Sequence, residues 1–252
     1  MRIGFFDSGV GGLTVLAEAL RQLPNEDYIY FADRVHAPYG TRSKTEVRKY
    51  VLEAVSFMAG KGLKALVVAC NTATSITIDD LRAQYSFPIL GMEPAVKLAL
   101  ERTDSKRILV LATPLTLKEK RYKDLVMRLD HFHLVDALAL PGLVEFAENF
   151  VFEKEVIHNY LKHEFKDLDL HNYSTVVLGC THFPYYKNYL QEIFPPSVEF
   201  IDGSVGTIKQ LKKILNLKDS AEKGLGDVVF YTSGVKEPQN TEYEKYLRIL
   251  QK

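Results

Sequence analysis

Residues 65–74, ALVVACNTAT, and residues 175–184, TVVLGCTHFP, carry the pattern that decides the fold. In each stretch a run of mostly β-branched or aliphatic residues ends abruptly at a cysteine, and polar residues follow it. A short apolar run of this kind is typical of a strand that is buried on both faces of a parallel sheet. Cys70 and Cys180 are the only cysteines of the 252-residue chain, and they lie 110 residues apart.

Similar apolar runs alternate with amphipathic helical patterns along the chain, which predicts an α/β fold. The predicted strands cover residues 3–6, 28–31, 65–69, 89–90, 108–111, 133–138, 175–178 and 198–201. The predicted helices cover residues 13–22, 44–59, 74–84, 94–101, 117–129, 154–165, 185–193 and 206–215. A last strand at 228–232 and a last helix at 242–250 are flanked by predicted loops at 224–226 and 235–240.

A weak internal repeat predicts two similar lobes, each a mainly parallel sheet flanked by helices. Residues 2–8, RIGFFDS, are echoed by residues 107–113, RILVLAT, at nearly the offset that separates the cysteines. We expect residues 1–95 to form the first lobe, with residues 207–252 returning to pack on it, and residues 96–206 to form the second. Because ligands of parallel sheets bind beyond the carboxyl ends of the strands, the active site is expected in the cleft between the lobes.

Composition indicates an ordinary globular protein that acts on a small ligand. The 32 basic and 32 acidic residues give no net charge, which argues against nucleic-acid or anionic-membrane partners. We find no apolar run long enough for a signal peptide or a membrane span and expect a cytoplasmic protein. Its two thiols should be reduced there, and their spacing fits neither a zinc site nor a redox motif.

Two equivalent thiols on opposite walls of one cleft could invert a carbon, because one would remove a proton from one face while the other returned one to the opposite face. Each cysteine is predicted at a strand end that opens onto a helix N-terminus, which favours thiolate. His182, two residues after Cys180, could tune its protonation. Either cysteine alone is as readily explained as a buried apolar residue, but the matched pair favours catalysis.

A glycine-rich loop, Asp7-Ser8-Gly9-Val10-Gly11-Gly12, follows the first predicted strand. It lacks the lysine and the glycine spacing of nucleotide-binding loops. Asp7 is better explained as a partner for a proton near a thiol, and Ser8 as a donor to a substrate carboxylate. Glu145 and Glu148 lie three apart on a predicted helix, where a solvent-exposed role is the default for each.

Four motifs, in this order and spacing, resemble bacterial glutamate racemases of the aspartate/glutamate racemase superfamily. They are residues 7–12 (DSGVGG), 38–40 (PYG), 70–73 (CNTA) and 179–184 (GCTHFP), and the resemblance spans about residues 1 to 205. The resemblance implies racemisation of glutamate without pyridoxal phosphate or metal, a supply of D-glutamate for peptidoglycan, and a homodimer.

By the same resemblance, Cys70 is the base for D-glutamate, assisted by Asp7, and Cys180 is the base for L-glutamate, assisted by His182. Glu148, rather than Glu145, matches a family acid. The residues implied in substrate binding are Ser8, Asp33, Tyr39, Gly40, Asn71, Thr72, Thr116 and Thr181. The chain departs from the family pattern at Ala112 and at Glu119, where a small polar residue is usual, and an acid there could alter substrate binding.

Other functions stay open at this point. A racemase for aspartate or another amino acid would share both thiols. A hydrolase with Cys180 as nucleophile and His182 as base would form a covalent intermediate and leave Cys70 without a role. A two-lobed binding protein would hold its ligand without exchanging the α-proton.

Overall fold

The computed structural model describes residues 1–103, 106–217, 226–238 and 241–250, which form two sheets with helices packed on them. The strands are β1 (Arg2–Asp7), β2 (Tyr28–Ala32), β3 (Leu63–Val68), β4 (Ile89–Gly91), β5 (Arg107–Ala112), β6 (Val135–Ala139), β7 (Tyr173–Leu178), β8 (Glu199–Asp202), β9 (Val228–Thr232) and β10 (Val235–Lys236). The order β10-β9-β2-β1-β3-β4 makes the first sheet and β6-β5-β7-β8 the second. All pairs are parallel except β9 with β10, which confirms the predicted fold class.

The helices connect these strands and cover the sheets. They are α1 (Leu13–Gln22), α2 (Lys44–Ala59), α3 (Asn71–Gln84), α4 (Val96–Arg102), α5 (Pro114–Lys118), α6 (Lys120–Leu129), α7 (Pro141–Glu148), α8 (Lys154–Glu164), α9 (Lys187–Ile193), α10 (Ser204–Ile214) and α11 (Thr241–Ile249). Short 3-10 helices cover Tyr39–Thr41, Leu170–Asn172 and Phe183–Tyr186. No helix in the described parts of the chain is both long and apolar enough to cross a membrane.

The central strands end side by side, which brings the polar residues after them together. Phe6 of β1 lies opposite Val68 of β3, and Leu111 of β5 lies opposite Leu178 of β7. These strands are buried throughout their carboxyl halves, as their continuous apolar sequences predict. In each sheet, the residues that leave two neighbouring strands therefore start from the same edge.

The two sheets share one of three buried apolar clusters. A single buried cluster contains Phe5 and Val67 of the first sheet together with Leu111 and Leu178 of the second. The last part of the chain returns to the first sheet, where β9 pairs with β2. We propose residues 1–95 with 207–252, and residues 96–206, as the two lobes; residues 104–105, 218–225, 239–240 and 251–252 lie outside the described residues.

Several local features differ from the sequence-based predictions, and three of them concern the site or the predicted loops. Helix α3 begins at Asn71 rather than at residue 74, because the Cys70 sulfur caps it by accepting the N–H of Ala73. The helix predicted at 117–129 is interrupted at Glu119, which has extended backbone angles between α5 and α6. Within the loop predicted at 235–240, residues 235–236 form β10. Residues 239–240 of this loop and residues 224–225 of the loop predicted at 224–226 lie outside the described residues.

Candidate active site

A small cavity lies between the lobes, at the carboxyl ends of the central strands. Its volume is about 10 Å³, which is about the space that one water molecule needs. Both cysteines line it, with polar residues from both lobes. The lining consists of Ser8, Tyr39, Gly40, Cys70, Asn71, Thr72, Thr113, Val144, Cys180, Thr181 and His182. The walls of the cleft must therefore separate before a larger ligand enters.

Cys70 forms the wall on the side of the first lobe. Its thiol is buried and lies 3.7 Å from the Ser8 hydroxyl, and its sulfur accepts the N–H of Ala73 at 3.4 Å. Burial, together with the negative charge of Asp7, raises the pKa of Cys70 to about 12. The position at a helix N-terminus, which led us to expect a thiolate, does not outweigh these two effects. In this closed conformation Cys70 is a protonated thiol.

Asp7 is a fully buried carboxyl group near Cys70. It accepts hydrogen bonds from the N–H of Gly9 at 3.0 Å and from the Thr181 hydroxyl at 3.1 Å. Burial raises the pKa of Asp7 to about 6, although the positive charge of His182 works in the opposite direction. Asp7 can therefore gain or lose a proton close to neutral pH.

Cys180 forms the opposite wall and belongs to a chain of hydrogen-bonded groups. Its sulfur lies 3.6 Å from Nδ1 of His182, and Nε2 of His182 lies 2.7 Å from Oε1 of Glu148. The same Glu148 oxygen accepts the N–H of Val10 at 2.8 Å. The arrangement links a thiol, an imidazole and a carboxylate through consecutive contacts. Glu145, which lies with Glu148 on α7, is exposed.

The charges of this chain are set by its contacts. Burial alone lowers the pKa of His182, but its hydrogen bonds to Cys180 and Glu148 outweigh burial and hold that pKa well above its usual value. Burial alone raises the pKa of Glu148, but the hydrogen bond and charge of His182, with help from Val10 and Arg34, hold it below its usual value. At neutral pH the pair is an imidazolium and a carboxylate, and the imidazolium can donate from Nδ1 to the Cys180 sulfur.

The remaining predicted binding residues divide into two groups. Those that line the cavity are Ser8, Tyr39, Gly40, Asn71, Thr72 and Thr181. Asp33 and Thr116 do not line it. Asp33 accepts the Tyr39 hydroxyl at 2.5 Å, and Thr116 lies 3.0 Å from the Thr72 hydroxyl. Each contacts a residue that lines the cavity.

Sequence reasoning missed Thr113 and Val144 as lining residues. Thr113 directly follows β5, and its hydroxyl lies 2.9 Å from that of Thr72 across the cleft. The rule that polar residues after central strands meet at the site would have selected it. Val144 carries no such signal, because an apolar residue of an amphipathic helix is indistinguishable from a core residue in sequence.

Glu119, the departure noted in the sequence, lies outside the cavity lining. Its carboxylate pairs with Lys44 of α2 at 2.6 Å. In the described parts of the chain, no group of three or more His, Cys, Asp or Glu side chains is arranged to hold a metal ion.

Comparison with known proteins identifies close relatives of this arrangement. The profile of the Asp/Glu/Hydantoin racemase family matches residues 7–211. Glutamate racemase 2 of Bacillus subtilis is 53% identical over 253 aligned residues, covering 100% of this chain and 96% of the relative. The crystal structure of a Campylobacter jejuni glutamate racemase superposes with a TM-score of 0.85 at 30% identity, over 100% of both chains. An Escherichia coli glutamate racemase, solved with L-glutamate and the activator UDP-MurNAc-Ala, gives a TM-score of 0.85 at 28% identity, covering 98% of this chain and 94% of that one.

Proposed function

Because the chain belongs to the Asp/Glu/Hydantoin racemase family and, within it, to the glutamate racemases, we propose that it interconverts L- and D-glutamate by proton transfer between Cys70 and Cys180. Members of this group are isomerases. The observation that carries the mechanism is that both thiols line one cavity, each beside a different proton-handling group.

In one direction of the reaction, Cys180 acts as the base. With Cys70 as a thiol and Cys180 beside the imidazolium of His182, the Cys180 thiolate removes the α-proton of L-glutamate. The Cα–H bond breaks as an S–H bond forms at Cys180. The Cys70 thiol then gives its proton to the opposite face of the carbon and becomes a thiolate, which completes D-glutamate.

The reverse reaction begins from the other protonation state. Asp7, with its pKa near 6, is the nearby acid–base group that assists Cys70 when D-glutamate is the substrate. His182 supports the opposite thiol in the same way. The two thiols of a symmetric reaction therefore have different partners, Asp7 for Cys70 and His182 for Cys180.

The carbanion needs stabilisation, because the carboxylate of the substrate is the only electron sink that the amino acid itself offers. Asn71 and Thr72, the first two residues of α3, line the cavity, and the first N–H groups of a helix have no partner within it. Such preorganised donors act most strongly where water is excluded. In the closed conformation the cavity has room for only about one water molecule, which fits such a role.

Acid should inactivate the enzyme through Asp7. Above about pH 6 its carboxylate form predominates, and below that pH it is protonated and cannot assist Cys70 as a base. We expect kcat/KM to fall in both directions as the pH falls through about 6, because kcat/KM reports the ionisation of the free enzyme. Asp7→Asn, which keeps an acceptor for Gly9, should lower activity and remove this acid limb. An unchanged limb in a folded Asp7→Asn protein would contradict the assignment.

The remaining proposals concern the cellular role. We propose that the enzyme acts in the cytoplasm, supplies D-glutamate for peptidoglycan, and works as a homodimer. Similarity to glutamate racemases over the full chain supports these assignments.

The function is tested with each pure enantiomer of glutamate in D₂O without added cofactor. We expect product that carries an α-deuteron from its first appearance, while the remaining substrate stays unlabelled at early times. Aspartate should turn over at least about 100-fold more slowly, because the two differ by a methylene and the placement of the carboxylate. Absence of glutamate turnover, faster turnover of aspartate, or a covalent acyl-enzyme in place of exchange would overturn the proposal.

A further inference from the structure

Arg34, in the loop after β2, contacts Glu148 through the carboxylate oxygen that His182 does not contact. Its Nε lies 3.6 Å from Oε2 of Glu148, and one terminal nitrogen donates to the Glu148 backbone carbonyl at 3.3 Å. Glu148 is the last residue of α7, and the last carbonyls of a helix have no partner within it. The guanidinium therefore holds both the side chain and the main chain of this residue.

The two carboxylate oxygens of Glu148 contact different groups. Oε1 is occupied by His182 and by the N–H of Val10. Oε2 faces Arg34, whose charge helps to keep the carboxylate ionised. The Glu148 side chain is only 13% exposed, so solvent screens this interaction weakly. Loss of the guanidinium would leave Oε2 without this cation and the carboxylate free to turn away from His182.

A second carboxylate, that of Glu242 near the C-terminus, orients Arg34. The other terminal nitrogen of Arg34 donates to Oε1 of Glu242 at 2.6 Å. Glu242 lies in the first turn of α11, which is anchored by the Tyr246 hydroxyl on the carbonyl of Ala147 at 2.8 Å. The C-terminal helix thus contacts the same end of α7 by two routes, one of which passes through Arg34.

We propose that Arg34 is a positioning residue for the Cys180 half of the reaction and that α11 contributes to catalysis through Glu242. The contacts run from Glu242 through Arg34 and Glu148 to His182, which lies beside the Cys180 sulfur. The inference rests on the proposed function, since it assigns Cys180 to one face of glutamate. Both Arg34 and Glu242 lie outside the four motifs that carry the resemblance.

The test uses Arg34→Gln, Arg34→Lys and Glu242→Gln, with Glu244→Gln as the matched control. Glu244 lies on α11 as well, but it pairs with Arg248 on the surface of the same helix. We expect Arg34→Gln to lower kcat/KM by about 10- to 100-fold, as for loss of hydrogen bonds to a charged group. Glu242→Gln should lower it by about 2- to 5-fold, since its partner interaction is largely exposed. Arg34→Lys should restore part of the loss, and Glu244→Gln should leave activity unchanged.

Primary deuterium isotope effects separate positioning from a general structural defect. Because the equilibrium constant of a racemisation is one, kcat/KM falls equally in both directions and does not reveal which thiol is impaired. A higher barrier at Cys180 makes proton removal from L-glutamate more rate-limiting. In Arg34→Gln and Glu242→Gln, the isotope effect with α-deuterated L-glutamate should therefore rise, while that with the D-enantiomer should fall.

The outcomes distinguish failure of the proposed function from failure of the role assigned to Arg34. Wild-type protein that fails to racemise glutamate would overturn the proposed function before any variant is considered. If wild type is active, folded variants with unchanged activity would overturn the role of Arg34, and so would a loss of activity in which both isotope effects move alike. If Arg34→Gln does not fold, the same comparison is made with Glu242→Gln, which removes an exposed carboxyl group.

Discussion

Cys70→Ala and Cys180→Ala should each abolish racemisation of glutamate in both directions. A single thiol can remove the α-proton from one face, but no group then returns a proton to the other. Because both half-reactions need both sulfurs, we expect losses on the order of 10⁴-fold or more, at the upper end of the range for acid–base groups. The appearance of the opposite enantiomer, followed by chiral chromatography from pure L- and pure D-glutamate, measures the effect.

Folding is controlled by Cys→Ser substitutions at the same sites. Serine nearly matches the size of cysteine, and at position 70 it can accept the N–H of Ala73 that the sulfur accepts in the structure. Both serine variants should unfold close to the wild-type temperature while losing racemisation. A folded Cys70→Ala or Cys180→Ala protein that kept more than about a tenth of the activity would show that a different group serves as the second base.

Gly9→Ala should also lower kcat/KM strongly, although Gly9 has no side chain that could take part in the reaction. An added Cβ there would overlap the carboxylate of Glu148. That carboxylate would lose its bonds to Val10 and His182, and the imidazolium would lose the anion that holds it charged. We expect kcat/KM to fall by about 10²- to 10³-fold, the contribution of one acid–base partner, with a larger isotope effect for L-glutamate.

Gly206→Ala is the matched control for this substitution. Gly206 lies exposed within α10, and an added Cβ meets nothing within 4 Å. The change should leave activity untouched and stabilise the protein by up to about 1 kcal/mol, because alanine is the better helix former. If Gly9→Ala were as active as Gly206→Ala, the close packing of Gly9 on Glu148 would have no part in the reaction.

The sequence predicted those parts of the fold that depend on local pattern. The strand at 228–232 and the helices at 13–22 and 44–59 have the predicted bounds, because uninterrupted apolar runs and helical periodicity define them. The repeat also predicted that Cys70 and Cys180 would meet, and the structure brings both to one cavity. The break at Glu119 was missed, since an acidic residue in a helical pattern gives no sign of extended backbone.

Properties that depend on distant packing could not be predicted. The raised pKa of Cys70 results from burial and from Asp7, which lies 63 positions earlier in the chain. Arg34 and Glu148 are separated by more than 100 residues, and no local motif indicates that they meet. Asp33 was predicted to bind substrate; in the fold its carboxylate accepts the Tyr39 hydroxyl, and it is not among the residues that line the closed cavity. Only the three-dimensional arrangement distinguishes a residue that touches a ligand from one that holds such a residue.

Proton exchange by the two single-thiol variants tests the division of labour most directly. Cys70→Ser and Cys180→Ser are each incubated in D₂O with each pure enantiomer, and the α-proton is followed by NMR. We predict that Cys70→Ser, which keeps Cys180, exchanges the α-proton of L-glutamate alone, and that Cys180→Ser exchanges that of D-glutamate alone, both with retention of configuration. Exchange of the same enantiomer by both variants, or racemisation by either, would contradict the two-thiol account.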